Sequence, residues 1–145
     1  MIREIKITDY QEIYNLCFQH GYPLPKEQIK ANIETIINEG RDKIFVEVDS
    51  VDKVLGYIHL SPYRLLYFEP MANILGIVVD KKYRRQGIGK RLIRSAEEWA
   101  KINKLKGIRV VSGNERETAH IFYESVGFKF VKLQKNFKMF FEKKK

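Results

Sequence analysis

Ile74-Leu75-Gly76-Ile77-Val78-Val79-Asp80-Lys81-Lys82-Tyr83-Arg84-Arg85-Gln86-Gly87-Ile88-Gly89-Lys90 is the stretch that decides the fold. Ile74 to Val79 is apolar with a single glycine, the composition of a strand buried on both faces. A basic loop with two glycines follows. A helix begins inside that loop, with Ile88, Leu92, Ala96 and Trp99 along one stripe. The order strand, glycine loop, helix brings a helix N-terminus to the end of a buried strand, where unpaired backbone N–H groups and the helix dipole attract an anion. Gly87 and Gly89 let a phosphate approach the backbone without Cβ obstruction, and Arg84, Arg85 and Lys90 add full charges. The combination fits a pyrophosphate.

Two common phosphate loops do not match. A P-loop needs GxxxxGK[ST], but Arg84 stands at the first glycine position and Arg91 follows Gly89-Lys90. A dinucleotide fingerprint needs GxGxxG, and Leu92 occupies the place of its third glycine.

Working outward, the apolar periods lay out the remaining elements. Ile2, Ile5 and Ile7 mark a short first strand. Thr8-x-x-Gln11 reads as a capping box for a helix with Ile13, Leu16, Cys17 and His20 on one face. A second helix after Pro25 carries Ile29, Ile33, Ile36 and Ile37 and stops at Gly40. The period then changes to two. Ile44, Val46 and Val48 form one strand and Val54 to Leu60 pairs back as a hairpin, with Pro62 and Pro70 bracketing a connection. Downstream of the glycine loop, Ile108 to Val111 is a further strand. Asn114-x-x-Glu117 caps a helix with Ala119, Phe122, Tyr123 and Val126 on one face. Phe128 to Leu133 and Phe137 to Phe141 are expected to close the chain as a hairpin around Lys135-Asn136. The order β-α-α-β-β-β-α-β-α-β-β describes one α/β domain over residues 1–145, with a mixed central sheet flanked by helices.

Composition narrows the function. The 145 residues include 27 Lys and Arg against 18 Asp and Glu, a net charge of +9, with 44% hydrophobic residues. Such apolar content argues against disorder, and the charge asks for an anionic partner. Cys17 is alone and the three histidines, His20, His59 and His120, have no metal-ligand spacing, so no metal is expected. No run approaches the roughly 20 apolar residues of a membrane span and the N-terminus has no signal-peptide pattern, which sets the expectation of a cytoplasmic protein with no membrane partner. The basic residues gather at one loop and one terminal run, and no helix-turn-helix, RNA-recognition or zinc-finger pattern occurs. Nucleic acid is therefore not expected as a partner.

Arg84-Arg85-Gln86-Gly87-Ile88-Gly89 resembles the R/Q-x-x-G-x-G/A acetyl-CoA signature of the GNAT N-acetyltransferase superfamily. Arg116-Glu117-Thr118-Ala119-His120-Ile121-Phe122-Tyr123-Glu124-Ser125-Val126-Gly127-Phe128 is similar to the R-x-x-A-H-x-F-Y-x-x-x-G-F ending of its bacterial small-molecule members. The two segments stand in the order and spacing of that family. The resemblance implies a GNAT-like fold and acetyl transfer from the thioester of acetyl-CoA to an amine, with acetyl-CoA as co-substrate and no metal. It implies that the backbone of Ile77, Val78 and Val79 holds the pantetheine arm, that Arg84, Arg85, Gln86, Gly87, Ile88, Gly89 and Lys90 hold the pyrophosphate, and that Asn114 and Tyr123 contact the cofactor. Tyr123 matches the tyrosine that protonates the departing thiolate, a role suited to a phenol with an ordinary pKa near ~10.

A base must relieve the amine of its proton, and Glu69 and His59 are the candidates. His120 reads as structural. Cys17 lies within an apolar stripe without a basic partner, which argues against an acyl-enzyme and for direct transfer. The acceptor is expected to be a small amine, its wall built from residues 24–40 and 63–71. The rivals are an acetyl-CoA sensor without turnover and an acetyltransferase acting on protein N-termini or lysines. Either a monomer or a homodimer is compatible with the sequence.

Overall fold

The computed structural model describes residues 1–113 and 115–142. Asn114, expected at a helix cap and at the cofactor, lies outside the described residues, as does the Lys143-Lys144-Lys145 run. The chain divides into two compact units, Met1–Val111 and Ser112–Lys145.

Along the first unit run β1 (Ile2–Glu4), α1 (Tyr10–Gln19), α2 (Lys26–Glu39), β2 (Lys43–Val48), β3 (Val54–Tyr63), β4 (Met71–Val79), α3 (Ile88–Ile102) and β5 (Ile108–Val110). The strands lie in the order β1-β2-β3-β4-β5. Neighbours from β1 to β4 are antiparallel, and β5 joins β4 in parallel through the α3 crossover. This is the expected mixed α/β sheet. Ile13 and Leu16 of α1 and Ile29 and Ile33 of α2 pack on Val46, Val48, Val54 and Val78, which bury one face. On the other, Ala72 and Ile108 meet Trp99 and Ala100 of α3. Alternation along each strand divides the two sets, since successive side chains point to opposite faces.

Local chemistry shifts some boundaries. A 3-10 turn (Ile7–Asp9) precedes α1 and is closed by Asp9 Oδ2 accepting from Lys6 N at 2.8 Å; no side chain caps α1 itself, so the expected Thr8 capping box is not formed. Gly40 ends α2 with φ +68, a left-handed conformation that glycine adopts without a Cβ penalty. β3 runs through Pro62, which pairs with Ala72. Pairing with β2 has already stopped at Leu60, so the missing N–H of Pro62 has no β2 partner to fail.

The second unit contains α4 (Glu117–Ser125), closed by Val126 and Gly127. The expected last two strands are not formed. Residues 128–142 contain no strand, and Phe130, Val131, Leu133, Phe137, Met139 and Phe141 are exposed. Lysines recur there every third residue, at 129, 132, 135 and 138. A strand repeats every second residue, so Lys129 and Lys132 would fall on opposite faces and neither face would be purely apolar. A two-stranded hairpin by itself is marginal in water even with a better pattern.

Candidate active site

β4 changes character at its middle. His59 pairs with Gly76 and Leu60 with Ile74, which leaves Leu75 without a partner in a β-bulge. On the other side, β5 pairs with Ala72, Asn73 and Ile74 and no further. From Leu75 to Val79, β4 is therefore paired with β3 alone. Val78 is buried in the core below α1 and α2, whereas Ile77 and Val79 are half-buried. Alternate residues of this stretch direct N–H and C=O groups toward the side that β5 has left, and an extended amide-bearing chain can add there as a strand would.

The strand runs directly into the basic loop. Asp80 is buried. Its backbone N–H donates to Leu55 O at 2.8 Å and its Oδ1 accepts from Lys82 N at 3.0 Å, which bends the chain into a 3-10 turn over Lys81–Tyr83. Two left-handed residues follow, Arg85 with φ +64 and Gly87 with φ +81. For arginine this conformation is strained, and alternation of hands turns successive N–H groups toward one concavity. The first backbone bond of α3 runs from Arg91 N to Gly87 O at 3.0 Å. The amides of Ile88, Gly89 and Lys90 precede it, so they have no intrahelical acceptor.

Four hydrogen bonds involving side chains brace this loop. Arg91 Nε donates to Glu47 Oε1 at 2.6 Å and its Nη1 to the carbonyl of Gln86 at 3.2 Å. Burial alone would raise the Glu47 carboxyl, but hydrogen bonds from the Met1 ammonium and Arg91, with their charges, hold it below the usual range. Arg84 Nη2 donates to His20 Nε2 at 3.0 Å, while His20 Nδ1 donates to Leu16 O, and Lys81 N donates to Gln19 Oε1 at 3.1 Å. The C-terminal turn of α1 thus holds the start of the loop. Arg85, Gln86 and Lys90 are exposed.

The α1/α2 side of the sheet carries the candidate base. His59 Nε2 donates to Asp42 Oδ2 at 3.0 Å, which leaves Nδ1 as an acceptor. With Tyr57 it lines a cavity of about 390 Å³ walled by Ile13, Ile29, Ile33 and Ile44. Burial, and next to it Cys17, pushes the Tyr57 hydroxyl well above its ordinary value, and the Cys17 Sγ lies 3.6 Å away. Glu69 is exposed on the connection to β4, apart from any ion pair among the described residues. Tyr67 and Phe68 in the same connection are exposed and tilt against each other, ring centroids 4.9 Å apart.

In the second unit Tyr123 is 8% exposed, its ring 5.7 Å from those of Phe122 and Phe128. Burial pushes its hydroxyl above the ordinary tyrosine value, partly countered by the Arg116 charge. His120 Nε2 donates to Gly113 O at 2.9 Å and Arg116 N to the same carbonyl at 3.0 Å, so His120 orders the turn that starts α4.

The first unit therefore brings together Ile77, Val78, Val79 and the loop from Arg84 to Lys90, while Tyr123 belongs to the second. Sequence reasoning missed Asp42 and the Glu47–Arg91 link. A charged residue inside the apolar run Ile44 to Val48 was the available signal for Glu47; Asp42 offered none. Among the described residues, no group of three His, Cys, Asp or Glu side chains could hold a metal ion, and no helix is long and apolar enough to cross a membrane.

The model of the acetyltransferase (GNAT) family matches residues 7–128, a span that runs from the first unit through α4 of the second. Human N-acetyltransferase 8 is 29% identical over 90 residues, 61% of this chain. The chain spans about 40% of the length of that relative. Among solved structures, AAC(6')-Iy in complex with the bisubstrate analogue CoA-S-monomethyl-acetylneamine superposes with a TM-score of 0.83 at 17% identity, covering 96% of this chain and 97% of that one. The aminoglycoside antibiotic 6'-N-acetyltransferase AAC(6')-IG from Acinetobacter haemolyticus superposes with a TM-score of 0.82 at 17% identity, covering 98% and 99%. At these identities the likeness is one of fold.

Proposed function

The chain belongs to the acetyltransferase (GNAT) family, and from that premise we propose that it transfers an acetyl group from acetyl-CoA to a primary amine on a small molecule. The observation that carries the reading is the loop from Asp80 to Lys90: a strained, braced, basic turn that opens a helix where β4 has lost its second neighbour. The residues suit the co-substrate. Ile77, Val78 and Val79 would align the pantetheine amides, and the amides of Arg85 to Lys90, with the charges of Arg84, Arg85 and Lys90, would bind the pyrophosphate. We read both units as one catalytic domain, because the family match runs across them.

The thioester supplies an activated acyl carbon. The chain's own residues manage protons around it. His59, oriented by Asp42, accepts a proton from the ammonium form of the acceptor through Nδ1, leaving the nitrogen lone pair free to attack. The new C–N bond forms and the C–S bond breaks. Tyr123 gives its phenolic proton to the sulfur, and burial keeps that proton in place until then. Glu69 is a weaker choice of base, because an exposed carboxylate stays solvated. The α2 side of the 390 Å³ cavity offers apolar contacts for an acceptor's carbon skeleton.

The test is calorimetric CoA binding together with thiol release across a panel of amines, for the native chain and for Gly89→Glu. A carboxylate in the first turn suits the helix dipole, so this variant should fold while repelling phosphate. CoA affinity retained in Gly89→Glu would remove the loop from the reading; CoA binding without thiol release for any amine would leave a sensor.

A further inference from the structure

One cation of the sheet face is left out of the ion pairs. Arg109 on β5 pairs with Asn73 on β4, which pairs with Ser61 on β3. Ala72 and Ile108, next in each strand, face α3, so Asn73 and Arg109 face the α1/α2 side. Arg109 Nη1 donates to Asn73 Oδ1 at 2.8 Å, and its guanidinium carbon lies 4.0 Å from the centroid of the Tyr63 ring. One edge and one face of the guanidinium are thereby fixed. No carboxylate among the described residues lies within 4.0 Å of it, in contrast to Arg3 and Arg91, which are both paired. A partly buried guanidinium held in one orientation without a counter-ion is half of a bidentate pair.

The same face holds the His59–Asp42 pair, two residues along β3 from Ser61 and beside the Leu75 bulge. Strands about 4.8 Å apart and a rise of about 3.3 Å per residue put the Cα atoms of His59 and Arg109 roughly 12 Å from each other. With two side chains extending from them, that distance frames a molecule the size of an amino acid.

Resting on the acetyltransferase reading, we propose that Arg109 binds a carboxylate carried by the acceptor, so that the substrate is an amino-carboxylate whose amine is presented to His59. Asn73 and Tyr63 are positioning residues that hold the fork in plane. A planar, two-oxygen anion matches the N–H edge left open by Asn73 better than a tetrahedral phosphate does.

The experiment compares kcat/KM for matched acceptors: amino acids, their amides, the corresponding amines without the carboxylate, and aminoalkyl phosphates. The native chain should favour the carboxylate over the amide by about 10–100-fold, the scale of a charge-assisted pair. Arg109→Gln and Asn73→Ala should bring that ratio toward one, with folding checked by circular dichroism. Direct binding of N-acetylated amino acids against N-acetylated amides, measured calorimetrically, gives a readout that needs no turnover. Preference for amides, neutral amines or phosphates, or a carboxylate preference that survives Arg109→Gln, overturns the proposal. A chain that acetylates nothing yet binds N-acetyl carboxylates through Arg109 refutes acetyl transfer and supports the carboxylate site. One that acetylates neutral amines and ignores carboxylates does the reverse.

Discussion

Breaking the Glu47–Arg91 link should loosen the glycine loop and the sheet together. Glu47 is 2% exposed and its Oε1 takes the Arg91 Nε hydrogen bond at 2.6 Å. In Glu47→Gln the acceptor oxygen can remain but the carboxylate charge is gone, so the ion pairs with Arg91 and with the Met1 ammonium are lost while a hydrogen bond from the still-charged Arg91 persists, a change of about 1–3 kcal/mol before screening. The Arg91 side chain is 46% exposed, and solvent screening brings the expected loss to about 1–2 kcal/mol. For a chain of this size that lowers Tm by roughly 3–8 °C. Arg91→Met, which keeps the apolar stem, should cost a similar amount and also release the Gln86 carbonyl, weakening CoA several-fold. The double variant should lose less than the sum, with a coupling of about 1 kcal/mol. The pH dependence has a definite sign. Because the folded carboxyl is depressed, its stabilisation is fully present above the ordinary value near ~4.3 and is lost as pH falls through the lower folded value. Thermal melts of the four proteins should therefore show a native-minus-Gln gap that is constant from about pH 5 to 8 and narrows below about 4.3. Strict additivity, or a gap that widens in acid, refutes the link.

Two further outcomes follow from single atoms. Gly56→Ala would place a Cβ 2.8 Å from the Val78 carbonyl and 3.3 Å from Ile88 Cγ2, and since backbone cannot swing aside, a loss of about 1–3 kcal/mol is expected in chemical denaturation; a neutral result means Gly56 is not so closely apposed to the β4 backbone. Tyr123→Phe should lower kcat by about 10²–10⁴-fold, far more than it raises the CoA Kd. Because the Tyr123 hydroxyl is raised, kcat of the native chain should stay level to about pH 10 before any alkaline fall assigned to this residue, and a limb near pH 8–9 that vanishes in the Phe variant would show a donor of lower pKa than this burial permits.

Much of the fold was legible because each element announces itself locally. The switch from a period of 3.6 in α2 to a period of two in β2, with Gly40 between them, needs no tertiary knowledge. The glycine loop at the start of α3 was legible for the same reason: Gly87, Gly89 and their basic neighbours are contiguous. The features that were not legible depend on partners distant in sequence. Arg91 reads as one more loop cation, and only its bond to Glu47, 44 residues away, removes it from the set available to a phosphate. Leu75 is one apolar residue in an apolar run, yet the register shift opposite His59 and Leu60 makes it the bulge. Arg109 is an ordinary alternate in a three-residue strand until parallel pairing brings it beside Asn73. Residues 128–141 failed differently: their aromatics suggested strands while the three-residue lysine spacing, equally visible, argued against them.

The net charge of +9 then separates by physical role. Arg3 is held by Asp9 and Asp52, Lys43 by Glu4 and Arg91 by Glu47, and these cations are internal to the architecture. Such pairs contribute little attraction for a ligand, because each is already neutralised at contact. The exposed Arg85 and Lys90 stand at a helix N-terminus, where dipole and charge have the same sign and a phosphate gains from both. Arg109 stands elsewhere, on a sheet face, fixed in plane and without a carboxylate partner among the described residues. A polycationic acceptor approaching that face would meet like charge where Asn73 and Tyr63 hold the Arg109 guanidinium in plane. An amino-carboxylate meets the opposite, and its amine is drawn to the side of the sheet where Asp42 holds His59 with Nδ1 open.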